Sequence, residues 1–152
     1  MKKCFDWESG LHLKYNSSLE FKLWLKGFKT IITGDSGTGK SLLYSKIKEI
    51  KEDNLNPSWL RKHDMSNIVL YSKEKLDDIK KLKRNLIIID RADLILDRDA
   101  VEWINYDCGF NKYLIFGRKL LGIDISPNYF GRFIEDDGVI QIKYEFDIGG
   151  WN

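Results

Sequence analysis

Cysteine and histidine are scarce in this chain, two of each among 152 residues. Cys4 and Cys108 form no metal-type spacing and are expected to be free thiols. His12 and His63 stand alone, with no ligand partner at metal-binding spacing. Long apolar runs are also missing: none approaches the roughly 18 residues that cross a membrane. Residues 1–8, MKKCFDWE, carry charge with no apolar signal region behind them. Charge of a dominant sign is absent too. The net charge is +2 with 32% charged residues, which argues against a strong general nucleic-acid footprint. There is no internal repeat and no low-complexity segment. The length predicts one domain, able to bury about two thirds of the unfolded chain's surface.

What is present is concentrated in one octapeptide: Gly34, Asp35, Ser36, Gly37, Thr38, Gly39, Lys40 and Ser41. It fills every position of the phosphate-binding pattern G-x-x-x-x-G-K-[ST]. The pattern has a physical reason. Glycines let backbone N–H groups turn inward around phosphate oxygens. Lys40 would place a point charge at the β- and γ-phosphates, and Ser41 would put a hydroxyl on magnesium. Leu42 follows as a further nucleotide contact. The context agrees: residues 28–33 read as a strand, and Leu43, Ile47 and Ile50 recur at i, i+4, i+7, one buried helical face. The helix aims its positive end at the same phosphates.

A second element supports the first. Leu86, Ile87, Ile88 and Ile89 form an apolar run closed by Asp90. Such a run suits a parallel strand buried on both faces. Its terminal carboxylate would emerge at the carboxyl edge of the sheet, where open α/β sheets bind ligands, and there Asp90 would hold magnesium together with Ser41.

With these two motifs the chain resembles the P-loop NTPase superfamily, residues 34–41 matching its Walker A motif and residues 86–90 its Walker B motif. The resemblance covers roughly residues 28–118. More narrowly, the wording ITGDSGTGK at residues 32–40 and YLIFGR at 113–118 resembles small ATP-binding proteins of bacteria and their mobile elements. The resemblance implies a cytoplasmic protein with ATP, or another nucleoside triphosphate, and Mg2+ as cofactors. It also implies a catalytic set of Lys40, Asp90, Asp93 and Arg118. Many ATPases of the superfamily carry a glutamate directly after the Walker B aspartate; here that position is Arg91, which cannot act as a base at neutral pH. Asp93 is the nearest carboxylate for that role, or else it caps the next turn. Arg118, after the strand at 112–116, would sense the γ-phosphate through two parallel hydrogen bonds, and Arg91 is a weaker candidate for the same task.

The predicted fold class is α/β: a mostly parallel sheet flanked by helices, with added antiparallel strands. Residues 1–27 form an N-terminal β-hairpin extension, 28–118 the αβ core, and 119–152 a C-terminal loop and strand. In the extension, Leu11, Leu13 and Tyr15 alternate with His12 and Lys14, and Leu19, Phe21, Leu23 and Leu25 alternate with Glu20, Lys22, Trp24 and Lys26. Two strands are expected from this, although Ser17, Ser18, Leu19 and Glu20 also fit a capping box. Residues 54–67 form a polar connection, and 67–71 a strand. Leu76, Ile79 and Leu82 mark a helix, and Ala100, Val101 and Ile104 another. Residues 122–131 read as a loop. Ile140, Ile142, Tyr144 and Phe146 share one face of the last strand, which could join the N-terminal hairpin.

Other features read as structural. Lys80, Lys81, Lys83 and Arg84 make a solvated helix end rather than a phosphate contact. Tyr129, Phe130 and Phe133 beside Arg132 pack as a loop rather than forming a base-stacking platform. The five tryptophans show no platform spacing.

Three functions are compatible with the sequence. One is a Mg-ATP-binding switch or accessory protein with slow hydrolysis. A second is a module that binds nucleotide without hydrolysing it. The third is a small-molecule or nucleoside kinase, for which no Arg-rich lid is visible between Arg118 and Arg132.

Overall fold

The computed structural model describes residues 3–34, 39–52, 63–107, 109–117 and 122–145. Among these residues, every named strand belongs to one nine-stranded sheet. In chain order the strands are Phe5–Asp6 (β1), Gly10–Asn16 (β2), Leu19–Leu23 (β3), Lys29–Ile32 (β4), Ile68–Leu70 (β5), Leu86–Ile89 (β6), Lys112–Phe116 (β7), Phe130–Asp136 (β8) and Val139–Tyr144 (β9). Their spatial order is β1-β2-β3-β9-β8-β4-β7-β6-β5. The block β8-β4-β7-β6-β5 is parallel throughout, and β3 also pairs in parallel with β9. The pairs β1-β2, β2-β3 and β8-β9 are antiparallel. The protein is therefore α/β, with a mostly parallel sheet flanked by helices.

Burial follows strand type. The strands β6 and β7 are buried along their whole length, as a strand covered on both faces must be. Leu86, Ile88, Leu114 and Phe116 point to one side, where Lys40–Glu52 (α1) packs Leu43, Ile47 and Ile50 against them. Ile87, Ile89, Tyr113 and Ile115 point to the other. There they meet Ile79 of Leu76–Ile79 (α2), Ala92 of Ala92–Ile95 (α3), and Ala100 and Ile104 of Arg98–Tyr106 (α4). The N-terminal strands are buried on one face only. Phe5, Leu11, Leu13, Phe21 and Leu23 join the α1 side, while His12, Lys14 and Lys22 alternate outward.

The strict alternation over residues 19–25 resolves in favour of a strand: β3 pairs with β2 in register, Leu13 opposite Phe21. The C-terminal strand does join the N-terminal hairpin, but it runs parallel to β3 and antiparallel to β8. Three expectations are corrected. Residues 122–131 are not all loop: a 3-10 turn spans Pro127–Tyr129 and β8 begins at Phe130. Phe130 and Phe133 thus belong to a strand, with Phe133 buried and Arg132 outward. The β8-β9 hairpin turns at Asp137 and Gly138, both at positive φ (53° and 80°), which an Asp-Gly pair accommodates. The helix expected to carry Leu82 stops at Ile79. Lys81, Lys83 and Arg84 lie beyond it, and Arg84 itself has φ 57°. Phe146, Cys108 and Trp151 lie outside the described residues, as does most of the 54–67 connection.

Candidate phosphate site at the carboxyl edge of the sheet

Because β4, β6 and β7 run the same way, their carboxyl ends emerge together. The end of β4 is held by Thr33, whose N–H donates to the Gly131 carbonyl at 2.9 Å. Gly34 follows at φ 123° and Gly39 stands at φ 109°, conformations that side chains resist. A Cβ on Gly39 would also lie 3.1 Å from Ile140 Cδ1. From the Gly39 carbonyl, which accepts from the Leu43 N–H at 2.9 Å, α1 begins. The leading N–H groups of any α-helix lack intrahelical partners, and no acid in the first turn of α1 offsets their positive field. Lys40 bends back so that its Nζ donates to the Gly34 carbonyl at 2.6 Å.

The end of β6 carries Asp90, half-buried, and then Arg91 in left-handed backbone (φ 52°, ψ 52°). That conformation is costly for a bulky residue. It reverses the chain so that α3 starts at once, and the Arg91 carbonyl accepts from the N–H groups of Leu94 and Ile95. The side chain of Arg91 is exposed and makes no ion pair among the described residues. The end of β7 is Gly117, bonded to the Ile32 carbonyl at 3.4 Å. A Cβ at Gly117 would lie 3.3 Å from both Ala92 Cβ and Asp93 Oδ1, so a bare backbone here lets α3 close over the strand end.

Together these ends enclose a cavity of about 440 Å³. Gly34, Lys40 and Ser41 form one wall; Asp90, Arg91 and Asp93 form the facing one, with Gly117 between. Of the residues expected at a nucleotide site, the structure thus brings Gly34, Lys40, Ser41, Asp90 and Asp93 into one cavity. Asp93 sits in the first turn of α3. Leu42 does not line the cavity and is 38% exposed. Asp35, Ser36, Gly37, Thr38 and Arg118 lie outside the described residues.

Sequence reasoning missed a neighbouring cavity of about 480 Å³ that shares Asp90, Arg91 and Leu94 and is otherwise lined by Tyr44, Tyr71, Ser72, Lys73 and Ile95. The hydroxyls of Tyr71 and Ser72 are buried without hydrogen-bond partners among the described residues. Burial pushes the Tyr44 phenol above its usual pKa, and the charges of Asp90 and Glu52 push the same way. The only sequence signal for this wall was its position directly after the 67–71 strand. Gly117 stood in the YLIFGR stretch at 113–118, with no sign that α3 would pack on its bare backbone.

Among the described residues no three His, Cys, Asp or Glu side chains converge to hold a metal on their own. The cavity offers instead one hydroxyl, Ser41, and the carboxylates of Asp90 and Asp93. That oxygen set fits a magnesium ion that completes its shell with phosphate and water, not one caged by protein. No family model matches the chain, and neither a curated protein nor a solved structure matches it.

Proposed function

We infer that the protein is a P-loop NTPase that binds a nucleoside triphosphate, ATP by default, with Mg2+ in the 440 Å³ cavity and hydrolyses it slowly, as a switch or accessory protein. One observation carries this reading: residues from two sequence motifs some fifty positions apart line a single cavity at one sheet edge. In this reading Lys40 exchanges the Gly34 carbonyl for phosphate oxygens. The first turn of α1 adds backbone N–H groups and its dipole. Ser41 and Asp90 would hold magnesium, which when bound neutralises charge on the phosphates. Arg91 cannot accept a proton, so the Asp93 carboxylate is the group that would orient an attacking water. With no carboxylate directly after Asp90, turnover is slow and rests on positioning and electrostatics.

Thermal unfolding with Mg-ATP, Mg-GTP and Mg-ADP, on wild type and Lys40→Ala, tests the reading. A ligand at 100 times its dissociation constant should stabilise the fold by about 2.7 kcal/mol. That shift should vanish in Lys40→Ala, and phosphate release should fall in Asp93→Asn while the shift remains. No shift with any nucleotide would overturn the reading. A second reading, phosphoryl transfer to a small acceptor, draws on the Tyr71 and Ser72 hydroxyls beside Asp90, which have no partner among the described residues. ADP formation that rises when small alcohols or nucleosides are added would favour it.

A further inference from the structure

The largest cavity among those described, about 570 Å³, lies at the opposite edge of the same sheet. It opens where β4 and β7 begin, and strands of this length separate it from the phosphate site by roughly 15 Å. Trp7, Phe28 and Tyr129 supply its aromatic walls; Lys26, Lys29 and Lys112 supply its cations. The rings are placed rather than loose. Trp7 and Phe28 have centroids 6.2 Å apart. Tyr129 lies so close to Gly27 that a Cβ there would fall 2.7 Å from its ring. Phe28 and Phe110 remain 47% and 51% exposed.

The cations at this edge are unusual in their partners. Lys112 is 8% exposed, and its ammonium donates to the Trp7 carbonyl and stands 5.0 Å from the centre of the Trp7 ring. Arg84 stands 5.2 Å from the same ring, and Lys83 5.5 Å from that of Phe110. Lys29 donates to the Asp124 carbonyl and Lys26 lies 5.1 Å from the Tyr144 ring. None of these five cations forms an ion pair among the described residues. The carboxylates on the cavity wall are Glu8 and Asp124. Asp6 nearby is occupied by the Glu8 and Ser9 N–H groups and the Ser9 hydroxyl. Burial pushes the Lys112 ammonium below its ordinary pKa, against the pull of Asp6 and Glu8. A buried ammonium with donors to spare is a place where an arriving anion is stabilised.

Behind this edge the scaffold is rigid. Asp107 and Asn111 are fully buried; Asp107 accepts from the Phe110 N–H, the Asn111 amide and the Tyr113 hydroxyl, and Asn111 also accepts from the Asn85 N–H. This network fixes the segments that carry Arg84, Phe110 and Lys112.

The geometry points to single-stranded nucleic acid as the occupant of this edge, one base lodged among Trp7, Phe28 and Tyr129 and its flanking phosphates held by Lys26, Lys29, Arg84 and Lys112. Aromatic faces with unpaired cations between them match the alternation of base and phosphate along a strand. An acidic peptide would use the cations and leave the exposed rings without a partner. The modest net charge of the whole chain concealed this edge because sequence does not show that five cations gather around the two wall carboxylates, Glu8 and Asp124.

The test uses the full-length chain and a fluorescein-labelled twelve-nucleotide oligothymidylate with a 5′-hydroxyl, followed by anisotropy between 50 and 300 mM salt. It is run on wild type and on Lys40→Ala, so that its failure is distinguishable from that of the nucleotide site. Both proteins should bind equally, with log K falling against log salt at a slope of about −2 to −3, some 0.7 per phosphate neutralised. Lys29→Gln and Arg84→Asn should each flatten that slope by about 0.7. Trp7→Leu and Phe28→Ser should weaken binding about fivefold or more at every salt; Phe28, half-exposed, keeps the test valid should Trp7→Leu fail to fold. No binding at 50 mM salt overturns the proposal. So does equal competition by polyglutamate, which would mean charge alone, or displacement by free thymidine monophosphate as effective as by the strand, which would mean a nucleotide pocket.

Discussion

The two ends of β4 and β7 are built from different materials. At the carboxyl edge the strands run out into Gly34, Gly39 and Gly117, into Asp90, and into the left-handed backbone of Arg91. At the amino edge they begin among Trp7, Phe28 and Phe110, with lysines laid on the rings. A parallel sheet makes this division possible. All the strand ends of one polarity collect at one edge, so residues distant in sequence converge without any long-range signal in the pattern. The first edge is rich in bare backbone and small polar groups, suited to phosphate. The second is rich in apolar surface with cations and suited to something flat and charged. The interior between them is largely apolar and common to both.

Changes in that shared interior should have the largest effect. Leu114 is fully buried in the middle of β7, and Leu114→Ala should cost about 2–5 kcal/mol, read from the urea midpoint. Nucleotide and oligonucleotide binding should be lost together on heating; if one edge survived alone, the two would be separate units. Next comes Gly39→Ala, which combines positive φ with a 3.1 Å approach to Ile140 and should cost about 1–3 kcal/mol. It should remove the Mg-ATP thermal shift and leave oligonucleotide anisotropy intact. Arg91→Gly should act the other way, relieving left-handed strain and raising stability by about 1 kcal/mol while phosphate release falls. A stabilised variant with unchanged turnover would remove Arg91 from the site.

The smallest effect is electrostatic and confined to the amino edge. Burial lowers the folded pKa of Lys112 below its ordinary 10.5. Between the folded value and 10.5 the unfolded chain binds more protons, so this lysine's penalty on folding fades as pH rises. Wild type should therefore gain stability relative to Lys112→Met as pH climbs through that window, in paired urea melts stepped from about pH 7 to 10.5. A gap that stays constant would mean that Lys112 is not strained by burial.

How much of this was legible depended on how many residues carried each signal. Alternation over Leu11, Leu13, Phe21 and Leu23 marked the N-terminal hairpin because one face is buried and the other wet. The run Leu86, Ile87, Ile88, Ile89 marked a strand covered on both faces. The strand β8 escaped notice because Arg132, Ile134, Glu135 and Asp136 are all exposed, leaving Gly131 and Phe133 as its buried positions. The Asp137-Gly138 turn was the better clue. Lys83 and Arg84 were mistaken for a helix end because sequence shows their charge and not the rings beneath them.

The sequence by itself determined the phosphate-loop pattern, the strand that feeds it, the helix that leaves it and the acid at the end of a buried strand. These are local: backbone freedom at glycine and side-chain periodicity act over a few residues. Only the tertiary structure decided that β7 lies between β4 and β6, that Gly117 leaves room for α3 to close over the strand end, and that Lys26, Lys83, Arg84 and Lys112 stand over aromatic rings at the far edge. Strand order is fixed by which buried faces fit together across the whole sheet, a sum over many weak contacts that no single stretch of sequence contains.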